Sequence, residues 1–200
     1  MQPRIVSIYS ESTPNPETMK FVLNKMLLAQ NSADFPTRET AEKASPLATA
    51  LYDNFDYVQG VFIMNNFVTV TKTPDNEWFE ITPLVREFIR KYVEEGHEIV
   101  NIDALDTFLD TQEGGNPNKI NADDSETVAK IKDLLAKYVQ PAVEMDGGSI
   151  VFHSYENSIV TLGMQGSCSG CPSSTYTLKS GIEGLLKRMI PEIEGVEAHA

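Results

Sequence analysis

Apolar and polar residues recur with two different periods along this chain, and each change of period marks an element. Residues 4–10 (Arg-Ile-Val-Ser-Ile-Tyr-Ser) are rich in β-branched and aromatic side chains and predict a strand. Thr13-Pro14-Asn15-Pro16 breaks it, and residues 19–23 (Met-Lys-Phe-Val-Leu) predict a second strand. Ser45 is a good N-cap with Pro46 at the first helical position, and Leu47, Leu51 and Phe55, with Ala48 and Tyr52 alongside, follow at helical spacing. Residues 58–64 and 67–71 read as two strands joined across Asn65-Asn66, because asparagine tolerates the positive φ of a tight hairpin turn. Thr82-Pro83 predicts another capped helix, with Leu84, Val85, Phe88, Ile89, Tyr92 and Val93 as its apolar face and Gly96 at its stop.

The periodicity fades over residues 97–124 and returns afterwards. Asp124-Ser125-Glu126 is a capping group, and Val128, Ile131, Leu134, Leu135, Tyr138 and Val139 form one stripe of a helix that Pro141 is expected to end. Asp146-Gly147-Gly148 reads as a turn, and residues 150–153 with 158–164 as a hairpin around Glu156-Asn157. Pro172 is pre-set for a first helical turn, and Leu178, Ile182, Leu185, Leu186 and Met189 continue one face toward Pro191. Residues 196–199 predict a short last strand. The pattern gives an α+β chain: two small α+β domains, 1–96 and 125–200, joined by a linker over 97–124. The second domain runs helix, hairpin, cysteine loop, helix.

Charge sharpens the linker reading. The chain of 200 residues carries a net charge of −13, and residues 97–126 hold one basic and eight acidic groups around Gly114-Gly115-Asn116-Pro117-Asn118. Such acidity argues against nucleic-acid or anionic-membrane partners, which reward Lys and Arg. No run approaches the ~18 apolar residues of a membrane span. The first ten residues lack an apolar or Arg/Ser-rich leader, so the expected compartment is the cytoplasm, where paired cysteines serve metal or redox chemistry more often than structural crosslinks.

The chemistry concentrates in Cys168-Ser169-Gly170-Cys171, which holds both cysteines of the chain. Two thiolates at this spacing bind soft metal or exchange a disulfide. Cys171 falls at or beside the predicted helix N-cap, where unpaired N–H groups favour thiolate. Gly166, Ser167, Ser169 and Gly170 let the backbone approach closely and turn N–H groups toward sulfur. A zinc site or an iron–sulfur cluster takes four protein ligands, and there is no third cysteine. His97, His153 and His199 do not stand at ligand spacing from the pair, and His153 reads as a half-buried strand residue. Full thiolate ligation therefore requires Cys168 and Cys171 from each of two chains, with the ligands at a surface rather than in a closed core. A zinc-bridged dimer and a Cys-x-x-Cys thiol–disulfide redox protein stay open on the residues alone. The predicted hairpin ahead of the motif differs from the βαβ setting of thioredoxin-like sites.

Asp146-Gly147-Gly148, residues 162–166 and Ser167-Cys168-Ser169-Gly170-Cys171-Pro172-Ser173-Ser174-Thr175 closely resemble the C-terminal NifU-like domain of Nfu proteins, over about residues 125–200. Residues 7–93 resemble the Nfu N-terminal domain through Thr13-Pro14-Asn15-Pro16, Met19-Lys20-Phe21, Ser45-Pro46-Leu47-Ala48 and residues 67–72. Ser149 departs from the acid that many members carry there. The resemblance implies a non-enzymatic iron–sulfur cluster scaffold or carrier. It implies a [4Fe–4S] cluster, with [2Fe–2S] as the other nuclearity, ligated by Cys168 and Cys171 and shared in a homodimer. The implied partners are upstream cluster assembly proteins and apo-protein acceptors. The first domain carries no cluster of chemical residues and is expected to choose acceptors. Its Thr-Pro-Asn-Pro segment reads equally as a docking element and as a rigid turn.

Overall fold

The computed structural model describes residues 5–113, 118–169 and 172–199. The chain divides into two compact units, residues 1–112 and 113–200. Both mix helices with a sheet, so the fold class is α+β. No helix among the described residues is long and apolar enough to cross a membrane.

The first unit is built on an antiparallel sheet of five strands: β1 (Ile8–Ser12), β2 (Thr18–Leu23), β3 (Leu28–Phe35), β4 (Val58–Asn65) and β5 (Phe67–Lys72), in the order β1-β2-β5-β4-β3. The turn between β4 and β5 falls where expected, with Asn65 at φ 50°. Phe21, Leu23, Val61, Ile63, Val68 and Val70 bury one face against helices α1 (Arg38–Ala44), α2 (Pro46–Asn54) and α3 (Trp78–Glu94). The first strand starts later than the predicted 4–10. Thr13-Pro14-Asn15-Pro16 is a pinned turn: Asn15 is buried, its Oδ1 accepts from Glu17 N–H at 3.0 Å, and Trp78 Nε1 donates to Pro16 O at 3.0 Å.

Strand β3 and helices α1 and α3 also depart from the sequence expectation. Strand β3 has no clean alternation because an irregularity between Leu28 and Ser32, with Asn31 at φ 67°, breaks its register with β4. Helix α1 buries only Ala41 and Ala44, too little apolar surface to register as a stripe, and is set by a capping box between Thr37 and Thr40. Helix α3 begins at Trp78, ahead of Thr82-Pro83, and contains Pro83. The proline removes only the donor for Phe79 C=O, on a turn whose own side chain is 77% exposed. Gly96 closes this helix at φ 78°, with Gly96 N–H on Val93 O and His97 N–H on Tyr92 O.

The acidic stretch 97–124 is not uniform. Ile99, Val100, Ala104 and Leu105 join the first unit's core, and helix α4 (Ile102–Glu113) follows Asn101, whose N–H bonds Ala44 O. Its acids hid a short apolar face. At the other end, Asn118 pairs with the edge of the second sheet, taking Phe152 N–H on Oδ1 at 2.8 Å and donating Nδ2 to Ile150 O. Asp124 accepts from Asn121 N–H at 2.8 Å and from buried Lys132 Nζ at 2.9 Å. These two donors, the backbone one foremost, hold the Asp124 carboxyl below its ordinary range. The stabilisation is therefore complete above the ordinary aspartate value of about 3.9 and is lost as pH falls through the lowered folded value. Urea unfolding between about pH 5 and 2.5 is expected to fall more steeply for the native chain than for Asp124→Asn. Equal slopes would contradict this.

The second unit starts with α5 (Glu126–Leu134), capped by Ser125 Oγ on Val128 N–H, then a π turn (Leu135–Val139) and α6 (Gln140–Met145). Pro141 does not end the helix. The widened turn lets Gln140 N–H reach Leu135 O, and the chain passes the proline in helical conformation to Met145. Strands β6 (Gly148–Glu156) and β7 (Ile159–Gly166) form the expected hairpin, with Asn157 at φ 50° and Ser158 at φ 66° in its turn. Helix α7 (Pro172–Met189) then carries the chain to β8 (Gly195–Ala198), which pairs parallel to β7. Ile131, Leu135, Ile150, Leu162, Ile182, Leu186 and Val196 fill the core. Gly181 and Gly184 lie exposed on α7 with open space where a side chain would stand. Gly181→Ala is expected to stabilise by about 0.5–1 kcal/mol in urea unfolding.

Candidate functional site

The cysteine loop leaves β7 at Gly166, whose φ of 63° turns the chain sharply out of the sheet. It is held down by the turn between α6 and β6. Ser167 N–H donates to Gly147 O at 3.2 Å, Ser167 Oγ donates to Asp146 O at 2.6 Å, and Ser169 N–H returns to Gly166 O at 3.1 Å. Gly147 adopts φ 84° to make this contact, a conformation that a side chain would strain. Gly148 and Gly166 face each other as the first rung of the β6–β7 ladder. Gln140 fixes α6 on that strand by accepting Ile150 N–H on Oε1 at 3.3 Å and donating Nε2 to Ser149 Oγ at 3.1 Å. Ser149, at the position where an acid was expected from the resemblance, is thus a buried hydrogen-bonding partner.

Cys168 sits at this junction and its exposure corrects an expectation. The residue is only 6% exposed and belongs to the second unit's core cluster, rather than standing at a surface. Ser167 Oγ lies 4.0 Å from its Sγ. Cys171, the other expected ligand, lies outside the described residues, and so does its expected place at the helix N-cap. No group of three or more His, Cys, Asp or Glu suited to a metal ion occurs among the described residues. His153, half-buried as expected, stacks on His199 with ring centroids 4.1 Å apart above side-chain-free Gly163, and His97 lies in the first unit beside Tyr92. Each histidine thus makes a ring contact within its own unit.

A second correction concerns the setting of the loop. Because β7 and β8 are parallel with α7 between them, the loop lies at the strand-to-helix turn of a βαβ crossover. The sequence showed the hairpin before the cysteines and left the partner of the last strand undetermined. The supporting residues Gln140, Gly148 and Ser167 were also not legible as a unit, since they meet only when β6 and β7 pair.

Fold and loop together define a two-unit α+β protein whose second unit carries paired cysteines between a strand and a helix. Residues 8–96 match the family described as "Scaffold protein Nfu/NifU N terminal", and residues 131–197 match the "NifU-like domain". The chain is 42% identical over 199 residues to "NifU-like protein 4, mitochondrial" of Arabidopsis thaliana, covering 98% of this chain and 67% of that one. It is 42% identical over 195 residues to "NFU1 iron-sulfur cluster scaffold homolog, mitochondrial" of Drosophila sechellia, covering 97% of this chain and 65% of the relative. The chain belongs to the Nfu/NifU-like family of scaffold proteins.

The cytoplasmic expectation is overturned by these relatives, which are named as mitochondrial proteins. That expectation rested on the first residues of the sequence. The chain spans about two thirds of the length of the curated relatives it matches, so its first residues carry no information on a leader.

Proposed function

We propose that this protein is a scaffold and carrier of iron–sulfur clusters, holding one [4Fe–4S] cluster between two copies of the chain and passing it to apo-proteins. Cys168 and Cys171 of each copy supply the four thiolates that such a cluster takes. The observation that carries the reading is the ligand shortage. The chain has two cysteines, no further cluster of metal-binding residues stands among the described positions, and the relatives are named as cluster scaffolds. The cluster is cargo here. Thiolates shared between two chains suit handover, because acceptor thiols can displace them one at a time. The relatives' names describe scaffolds and no catalysed reaction, in keeping with a non-enzymatic role. Acceptors and upstream assembly proteins are the partners this role requires, and the first unit is proposed to select among acceptors.

The test is transfer. Protein loaded without oxygen and mixed with an apo-ferredoxin should lose its visible absorption as the acceptor gains it, at a rate that a metal chelator in solution leaves unchanged. Transfer abolished by the chelator would mean release of free iron and would remove the carrier role. The βαβ setting of the loop favours one other reading, a thiol–disulfide redox pair. A reversible Cys168–Cys171 disulfide with reductase activity, together with no iron uptake, would establish that reading instead.

A further inference from the structure

Gly148 begins β6 directly beneath the cysteine loop. A Cβ built on it would stand 2.7 Å from Cys168 Sγ, 2.7 Å from Gln165 O and 3.2 Å from Cys168 N. Two of these three atoms are backbone, so a side chain at 148 cannot be accommodated by rotating Cys168 alone. The surroundings show that the space is built rather than incidental. Ser167 is tied by side chain and backbone to Asp146 and Gly147, which fixes the approach of the loop one residue before the cysteine. The ladder pair of Gly148 with Gly166 fixes the floor. Cys168 is consequently 6% exposed although it lies in a loop between a strand and a helix.

We infer that Gly148 is a positioning residue for Cys168. Its missing side chain is the seat in which the unloaded chain shelters this thiol. Loading then requires the 166–169 turn to lift Sγ off Gly148, and unloading returns it. The sheltering stands on the geometry alone, whereas its link to loading rests on the cluster-carrier reading. The seat keeps the Cys168 thiol from alkylating or oxidising reagents until a partner or a cluster draws it out, at the cost of one local opening.

The experiment is the alkylation rate of Cys168 by iodoacetamide in the Cys171→Ser chain, where it is the sole thiol. The rate in the folded protein should be at least about tenfold below that of the same chain in urea. Adding Gly148→Ala should raise the folded rate by about tenfold or more, as the sulfur is evicted. Gly163→Ala serves as the matched control. It introduces the same methyl in the same hairpin, where it meets the His153 ring instead, and should leave the Cys168 rate unchanged. Thermal midpoints of both variants separate a general loosening, which would speed both, from the loss of the seat. If Gly148→Ala does not fold, protection in the Cys171→Ser chain decides. Equal folded and urea rates, or a folded Gly148→Ala chain with an unchanged rate, would overturn the inference. A protected thiol in a protein that takes up no iron would leave the seat standing and remove the cluster reading, so the two failures are distinguishable.

Discussion

Cys168→Ala is expected to reduce cluster loading to background and to leave the iron-treated protein monomeric. The magnitude follows from ligand number. In a shared site each substitution counts twice, so two of four thiolates disappear at once, and no group of three or more His, Cys, Asp or Glu suited to a metal stands among the described residues to replace them. Cys171→Ala should behave the same way. At Cys168 the fold should survive, because the alanine leaves a cavity of one sulfur atom at the edge of the core, a loss of about 1 kcal/mol. Iron and sulfide analysis with light scattering on protein loaded without oxygen gives the readout. Loading above half the native level in either variant would contradict the ligand assignment.

Leu162→Ala is the largest expected effect on stability. Leu162 is fully buried at the centre of β7, opposite Phe152 on β6, and its carbonyl takes His199 N–H at 2.8 Å. It therefore lies on the strand that delivers the cysteine loop and touches both neighbouring strands. Truncation removes three carbons from a close-packed interior and is expected to cost about 2–5 kcal/mol. Against a total near 5–15 kcal/mol this is a large share. Urea unfolding monitored by circular dichroism measures it, and a loss under about 1 kcal/mol would mean that the core around the loop is looser than described.

Much of the fold was legible because local signals agreed with tertiary packing. The β4–β5 and β6–β7 hairpins carried apolar, β-branched runs around asparagine turns, α2 and α5 carried serine caps that form in the structure, and Pro172 does open α7. The short last strand was also readable. The failures have physical causes. A register irregularity at Asn31 disguised β3, alanines disguised α1, and acids around Leu105 disguised α4. Pro83 and Pro141 read as boundaries because proline costs a hydrogen bond, yet an exposed turn and a π turn each absorb that cost.

The site was legible in its ligand candidates and illegible in its support. Cys168 and Cys171 stand out by spacing, but the role of Gly148 lies in atoms it lacks, against a residue 20 positions away. Ligand counting placed the thiols at a surface. Pairing of β6 with β7 buries Cys168 instead, a consequence of register that local composition does not carry.

Native mass spectrometry of the chain loaded without oxygen tests the central claim most directly. The claim predicts a species of two chains with one cluster of four iron and four sulfide, which separates into monomers when the cluster is removed. A single chain retaining its own complete cluster, or a dimer holding zinc or no metal after loading, would contradict it.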